Sequence, residues 1–308
     1  MTTLSNMIDE VSMNLSGYTL QQDRATYITA AVTTTTSPSS APTILTLASA
    51  DNLGKGIVEI DEELFWVDNY DRVGNTATIA PYGRGYLGTT AATHAADAKV
   101  TISPTFPRFA IKRAINDTIS AIGSSIFAAN TTTITSNAAV AAFRLPTTGA
   151  TLNIRSILAV AYQALGASKE WIPIRTYRFD GNANSTAFTS GQTISIYDNI
   201  PSGRTIQVVY STDPVPFTTN ADVFTTQTGL PESCKDLVIL GSTYRLLSNL
   251  DPARASMISP QADEVDAKRP YGSSQSITKQ IYALFNQRLN EEIKNQQDKY
   301  PIRIHYSL

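Results

Sequence analysis

Apolar positions along the chain change period several times. Leu4, Ile8, Val11 and Leu15, with Met7 beside them, recur at helical spacing, and Gly17 is the expected stop. From 25 to 103 the period falls to two: RATYITAAV, TILTLA, GIVEIDEELFWVD and NTATIAP predict strands separated by Ser/Pro and Gly/Asn clusters. Asp61-Glu62 reads as one hairpin tip and Gly74-Asn75 as a second turn. Thr105 and Pro107 open a helix whose Ile111, Ile115, Ile119, Ile122 and Ile126 line one face.

Residues 131–229 return to alternation in TTTITSNAAVAAFRL, WIPIRTYRFDG, SGQTISIYDNI and GRTIQVVYSTDPVPF. Residues 152–165 fit a short helix or a strand, and a sandwich of this size favours strand. From Pro231 the pattern is helical. Cys234, Leu237, Val238, Leu240, Tyr244 and Leu247 face one way while Ile239, Leu246 and Leu250 face another, so this helix is either central to the subunit or covered by a neighbouring one. Ser273 to Lys299 is the longest helical candidate, with Ile277, Ile281, Leu284, Phe285, Leu289 and Ile293 on one stripe. Tyr300-Pro301 ends it and leaves IRIHYSL, an alternating tail suited to pairing with a sheet.

The expected class is α+β: antiparallel β units, one small and one sandwich-like in the middle, with an N-terminal helix, a helix near 106–127 and a C-terminal helical region. The expected division is an N-terminal helix and small β unit (1–105), a connecting helix (106–130), a sandwich-like domain (131–229), a helical domain (230–300) and an extended arm (301–308).

Composition narrows the chemistry. The 308 residues are 42% hydrophobic and 16% charged with a net charge of −2, which excludes nucleic-acid or membrane binding by bulk charge. One cysteine and two histidines exclude a disulfide framework and an ordinary zinc site. No run approaches the roughly 18 apolar residues of a membrane span, and the N-terminus lacks a signal-like block, so the protein is expected to be made and kept soluble. Charge is uneven: residues 1–105 carry five basic and eleven acidic side chains, net −6, and 106–308 carry nineteen and fifteen, net +4. Opposite signs suit contacts between adjacent subunits, although acidic loops also keep a β unit soluble.

Several patterns resemble catalytic motifs and lack their companions. Gly83-Arg84-Gly85-Tyr86-Leu87-Gly88 is a literal G-x-G-x-x-G, but a strand soon follows it and no acidic residue stands near 20 positions on. Ser276-Ile277-Thr278-Lys279 matches S-x-x-K without a K-T-G, so Ser276 reads as a first-turn helix residue. Asp61, Glu62 and Glu63 read as a solvated acidic turn, and His94 with Asp97 is too sparse for a metal site. No catalytic, cofactor or metal residue is assigned, and no enzyme activity is expected.

The order Ile60-Asp61-x-Glu63, a turn, then Arg84-Gly85-Tyr86-x-Gly88-Thr89-x-Ala91-x-x-His94 running into Lys99-Val100 resembles a module of tailed-bacteriophage virion proteins, especially neck and tail components. That module carries a glycine after the histidine; Ala95-Ala96-Asp97-Ala98 stands here instead. LPESCKDLVILGSTYRLLSNLDPARA, the long helix with Arg288-Leu-Asn-Glu-Glu, and Tyr300-Pro301 resemble the end of a phage head-to-tail connector or adaptor. The resemblance implies a structural neck protein of the virion: a ring, twelve subunits by family pattern, stacked beneath the portal, meeting tail or neck proteins and surrounding a channel through which DNA passes without sequence-specific binding. Ile302, Arg303, Ile304, His305 and Tyr306 are the candidate partner interface, with Ile302, Ile304 and Tyr306 on one face of the arm. The alternative is a baseplate or fibre protein whose Trp171, Tyr177 and Phe179 stack on host glycan rings.

Overall fold

The computed structural model describes residues 2–19, 23–35, 43–137, 139–146, 153–165, 169–248 and 273–301. The fold is α+β. The chain divides into two units, 5–115 with 239–282, and 1–4 with 116–238 and 283–308.

In the first unit, α1 (Leu4–Thr19) buries Met7, Ile8, Val11 and Leu15, the stripe expected from their spacing, and runs two residues past Gly17. Six strands follow: β1 (Arg24–Tyr27), β2 (Thr43–Thr46), β3 (Gly56–Ile60), β4 (Glu63–Asp71), β5 (Thr76–Ile79) and β6 (Lys99–Ile102). They form one antiparallel sheet in the order β1-β6-β3-β4-β5-β2. Its two edges are joined just past the strand ends. Ile28 and Leu47 form a bridge, Thr29 N–H donates to Thr46 O (2.8 Å), and Ala48 N–H donates to Tyr27 O (2.8 Å). Closure makes the small β unit a barrel, which removes the open edge an ordinary sheet would have to protect. Phe65, Val67, Ile60, Val58, Ile79, Val100 and Leu45 fill its interior. Both expected hairpin turns are present, at Asp61-Glu62 between β3 and β4 and at Gly74-Asn75 between β4 and β5.

Helix α2 (Arg108–Ile122) buries Ile111, Ile115, Ile119 and Ile122, and Ile126 is buried beyond its end. Its start is tied to the β3–β4 hairpin. The Arg108 N–H donates to Glu59 Oε1 (2.6 Å), and Lys112 Nζ meets Glu62 Oε2 (3.0 Å). A carboxylate at a helix N-terminus receives N–H groups that have no partner within the helix.

The second unit contains β7 (Ala128–Thr135), β8 (Ala142–Arg144), β9 (Ile154–Gln163), β10 (Trp171–Pro173), β11 (Tyr177–Asp180), β12 (Thr193–Ile196) and β13 (Thr205–Thr212). One sheet runs β10-β9-β13-β7 and the other β11-β12-β8. They share a core that includes Ile134, Val160, Ile194, Ile206 and Val208, so the middle segment is a sandwich. The ambiguous 152–165 segment is strand β9. A five-residue helix that the pattern did not announce, α3 (Phe224–Thr228), ends at Gly229, whose φ of 70° is left-handed. A Cβ there would lie 2.7 Å from that of Ala128.

Helix α4 (Lys235–Ser248) follows a single 3-10 turn, Glu232–Cys234. Leu237, Val238, Ile239, Leu246 and Leu247 are buried together with Ser242 and Thr243, Leu240 and Tyr244 are half-buried, and Leu250 lies outside the described residues. Helix α5 (Ser273–Lys299) has 27 residues, about 40 Å at the usual rise. Ile281 and Phe285 are buried as expected, whereas Leu284 is exposed and Glu292 takes a buried place on the stripe. The arm residues Ile302, Arg303, Ile304, His305 and Tyr306 lie outside the described residues.

Candidate functional site: a buried carboxylate clamp

The Arg-Gly-Tyr to His block closes on one carboxylate. Glu63 opens β4 in register with Phe65 and Val67, whose side chains enter the barrel interior, and Glu63 goes with them. Its side chain is 1% exposed and that of Arg84 0%. Arg84 Nε donates to Glu63 Oε1 (3.0 Å) and Nη2 to Oε2 (2.9 Å), a bidentate pair. Three further donors reach the same carboxylate: Gly85 N–H (3.0 Å to Oε1), Ala92 N–H (2.8 Å to Oε2) and His94 Nε2 (2.9 Å to Oε2).

Arg84 also donates from Nη1 to Thr34 Oγ1 (2.9 Å) and to the Thr34 carbonyl, and its guanidinium lies 5.2 Å from the Phe65 ring centre. Thr89 Oγ1 accepts from Leu64 N–H (3.1 Å) and donates to Tyr86 O (3.0 Å). Arg84, Thr89 and His94 thus tie the 84–94 loop to the β3–β4 hairpin. Gly85 is required by backbone: its φ is 60°, and a Cβ would sit 2.7 Å from the Thr89 carbonyl oxygen.

Electrostatics follow from this geometry. Burial pushes the Glu63 pKa up, but the His94 and Arg84 contacts and the Ala92 and Gly85 amides outweigh it and bring it to about 2. For His94, burial favours the neutral ring, and contacts with Glu63 and Asp61 (Nδ1 to Oδ2, 2.7 Å) reverse that, so its pKa is raised. Both ring nitrogens face carboxylate oxygens, an arrangement satisfied when each carries a proton. Glu59 behaves oppositely. Burial dominates over the Arg108 amide and charge, and its pKa rises to about 7.

The acidic turn expected at 61–63 is therefore corrected. Asp61 is exposed, Glu62 pairs with Lys112, and Glu63 is enclosed, because alternation along β4 sends it inward from the hairpin tip. His94 meets Asp61 and Glu63, while the Asp97 N–H donates to Ile28 O (2.8 Å). The phase of Glu63 with Phe65 and Val67 is the sequence signal that places it inside; that its cation is Arg84 is visible only in the fold. The G-x-G-x-x-G segment forms a loop and the 3-10 turn Tyr86–Gly88, without the strand-turn-helix of a dinucleotide site. Ser276 falls in the first turn of α5. Trp171 is exposed on β10, but Tyr177 and Phe179 pack against the sandwich core, so the three aromatics make no shared stacking surface. Among the described residues no group of three His, Cys, Asp or Glu side chains is arranged for a metal ion, and no helix is long and apolar enough to cross a membrane. The clamp has no free carboxylate oxygen facing a cleft: its donors are the protein's own.

A family model described as SU10 adaptor protein matches residues 87–304, more than two thirds of the chain. The chain belongs to this family of phage head–tail adaptor proteins. No curated protein matches it. Family membership makes the adaptor a structural component of a phage virion.

The matched span of the adaptor covers the second half of the clamp loop, α2, the sandwich, α4 and α5, and it contains a second arginine-carboxylate cluster. Arg288 on α5 donates from Nε to Asp236 Oδ2 (2.8 Å), from Nη2 to Glu292 Oε1 (3.1 Å) and to the Ser233 carbonyl (3.2 Å), and from Nη1 to Glu291 Oε2 (2.5 Å). Glu292 Oε2 also receives Ser233 Oγ (3.0 Å) and the Cys234 thiol (3.7 Å). Burial, reinforced by Glu292, pushes the Cys234 thiol up to about 12, so the lone cysteine is an inert core residue. Farther along α5, the Gln296 amide donates to Phe127 O (2.7 Å) and accepts from Phe127 N–H (3.1 Å). The Arg288-Leu-Asn-Glu-Glu block and the Pro-Glu-Ser-Cys block of the adaptor therefore hold α5 to the start of α4.

Proposed function

We propose that this adaptor forms a ring in the neck of a tailed phage, stacked beneath the portal, joining it to tail or neck proteins around the channel through which DNA passes. The observation that carries the reading is the family match across the sandwich and the helices α2, α4 and α5. A supporting feature is the chemistry of the Arg84 to His94 block and of the Arg288 cluster, whose polar groups bond to the protein's own. Twelve subunits is the number the resemblance implies, and the net charge of −2 is consistent with DNA passing without being gripped. The arm, with Ile302, Ile304 and Tyr306 on one face and Arg303 and His305 on the other, is the segment assigned to docking on a neighbouring virion component by strand pairing. The domain divisions 1–105, 106–130, 131–229, 230–300 and 301–308 belong to the same proposal.

Electron microscopy of particles carrying the full chain or a chain lacking 302–308 tests it. The proposal expects ring density between head and tail with the full chain, and tail-less heads with the truncated but folded one. Density for this chain at the baseplate or in fibres contradicts the neck assignment, and normal joining by the truncated chain contradicts the arm.

A further inference from the structure

The two edges of the β10-β9-β13-β7 sheet are guarded unequally. An open edge offers unpaired N–H and C=O groups to any other strand, and proteins blunt it with shortness, proline or charge. Strand β10 has three residues, ends in Pro173 and is flanked by Lys169, Glu170 and Arg175. In the other sheet, the edge strand β8 has three residues including Arg144, and β11 carries Arg178 and Asp180. Strand β7 has none of these protections: AANTTTIT is eight residues long, holds no charge or proline, and pairs with β13 without a register shift. The N–H of Ser136, next in line, donates to Arg204 O beside β13 (2.7 Å). By alternation the even-numbered residues bond to β13, while Ala129, Thr131, Thr133 and Thr135 turn their backbone groups outward. Among the described strands none lies on that side.

The end of α5 reaches the start of this edge. Phe127, in phase with the outward residues, has its N–H and C=O both bonded to the Gln296 amide, and its ring packs on Tyr300 with centres 5.9 Å apart. The chain therefore leaves α5 beside the first residue of β7. We propose that in the free subunit residues 302–308 add to this edge of their own sandwich as a strand parallel to β7, and that docking on a neighbouring virion component takes them from it. Length and pattern support this occupant. Seven extended residues span about 23 Å, close to the length of β7. The inward positions Asn130 and Thr132 stand opposite the core residues Tyr210 and Val208 yet are only half-buried. Ile302, Ile304 and Tyr306 on one face of the added strand cover them, and Arg303 and His305 on the other lie beside the exposed Thr131 and Thr133. The inference rests on the arm reading above and names where the arm lies before it docks.

Amide hydrogen exchange, read residue by residue by NMR on the free full chain at two concentrations and on a chain lacking 302–308, tests it. The full chain is expected to protect the outward amides of Ala129, Thr131 and Thr133 equally at both concentrations. Truncation is expected to speed their exchange about tenfold or more, while the Asn130, Thr132 and Ile134 amides bonded to β13 keep their rates. Thr133→Pro removes one outward N–H and leaves the β13 ladder in place, so in the full chain it is expected to give Ala129 and Thr131 the rates of the truncated one. Equal exchange in full and truncated chains overturns the proposal. So does an equal rise at Asn130, Thr132 and Ile134, which marks fraying of the whole sandwich, or protection that fades on dilution, which puts a second copy's arm on the edge. The arm reading is tested on different samples: truncated particles that join heads to tails normally refute it, whereas failed joining with unchanged β7 exchange refutes the edge alone.

Discussion

Glu63 and Glu292 are both buried glutamates held by an arginine, and the two clusters differ in what surrounds the cation. Arg84 is enclosed with its partner, and the carboxylate is finished by two backbone amides and an imidazole. Arg288 is 29% exposed and shares itself among Asp236, Glu291 and Glu292. In the first, removing one member strands a charge in a dry interior, which costs about 3–5 kcal/mol. In the second, the half-exposed Asp236 and Glu291 carboxylates turn to water when their pair is lost, and such pairs are worth about 0–1 kcal/mol. The same residue types therefore make a fold determinant in the barrel and an adjustable joint in the helical region.

The largest expected effect is at Arg84. Arg84→Met leaves Glu63 buried without its cation and is expected to destabilise the barrel by about 3–5 kcal/mol in urea unfolding. Gly85→Ala comes next. The left-handed φ and the clash with the Thr89 carbonyl predict a loss of about 1–3 kcal/mol, read as a lowered thermal midpoint.

Dependence on pH distinguishes the clamp from the joint in a third way. Glu63 has a folded pKa of about 2 against a usual 4.5, so its contribution is present above 4.5 and is lost as pH falls towards 2. His94 is shifted upward, so its contribution is complete below 6.5 and is lost as pH rises through the folded value. Glu59, raised from 4.5 to about 7, adds a loss across that interval as pH rises. Unfolding measured across pH is therefore expected to show greatest stability on the acid side of neutrality. Glu59→Gln, which keeps an acceptor for the Arg108 amide, is expected to gain about 1–3 kcal/mol at pH 8 and nothing near pH 4. A gain equal at both pH values would show that the titration of Glu59 is not its cause. The smallest effect is at the joint: Asp236→Asn, which removes a half-exposed partner of Arg288 and leaves Glu292 paired, is expected to cost about 1 kcal/mol or less, and still less in high salt.

How much of this was legible beforehand divides along the same line. Period-two runs marked β1 to β5 and most of the sandwich, and the Ile111–Ile122 and Ile281–Phe285 stripes marked α2 and α5, because local periodicity reports which face is buried. Closure of the barrel was not legible, since it depends on a bridge between Ile28 and Leu47, which no local pattern announces. Glu63 was misread because a hairpin tip suggests solvent, although its phase with Phe65 and Val67 pointed inward. Glu292 follows Phe285 by seven residues and so shares its helix face, yet it was passed over as polar. In both cases a charged residue in apolar register was the overlooked signal. The resemblance carried by Arg84, Gly85, Tyr86, Thr89 and His94 led to the adaptor family; what those residues do became visible only with the fold.

Paired double-mutant cycles bear most directly on the contrast between clamp and joint. Glu63→Gln with Arg84→Met, and Asp236→Asn with Arg288→Met, are measured singly and together by denaturant unfolding. A coupling of roughly 2 kcal/mol or more in the barrel and under about 1 kcal/mol in the helical region is the expected result. Near-additive losses at Glu63 and Arg84, or equal coupling in both regions, would contradict the conclusion that the Arg-Gly-Tyr to His block is the clamp on which the barrel depends.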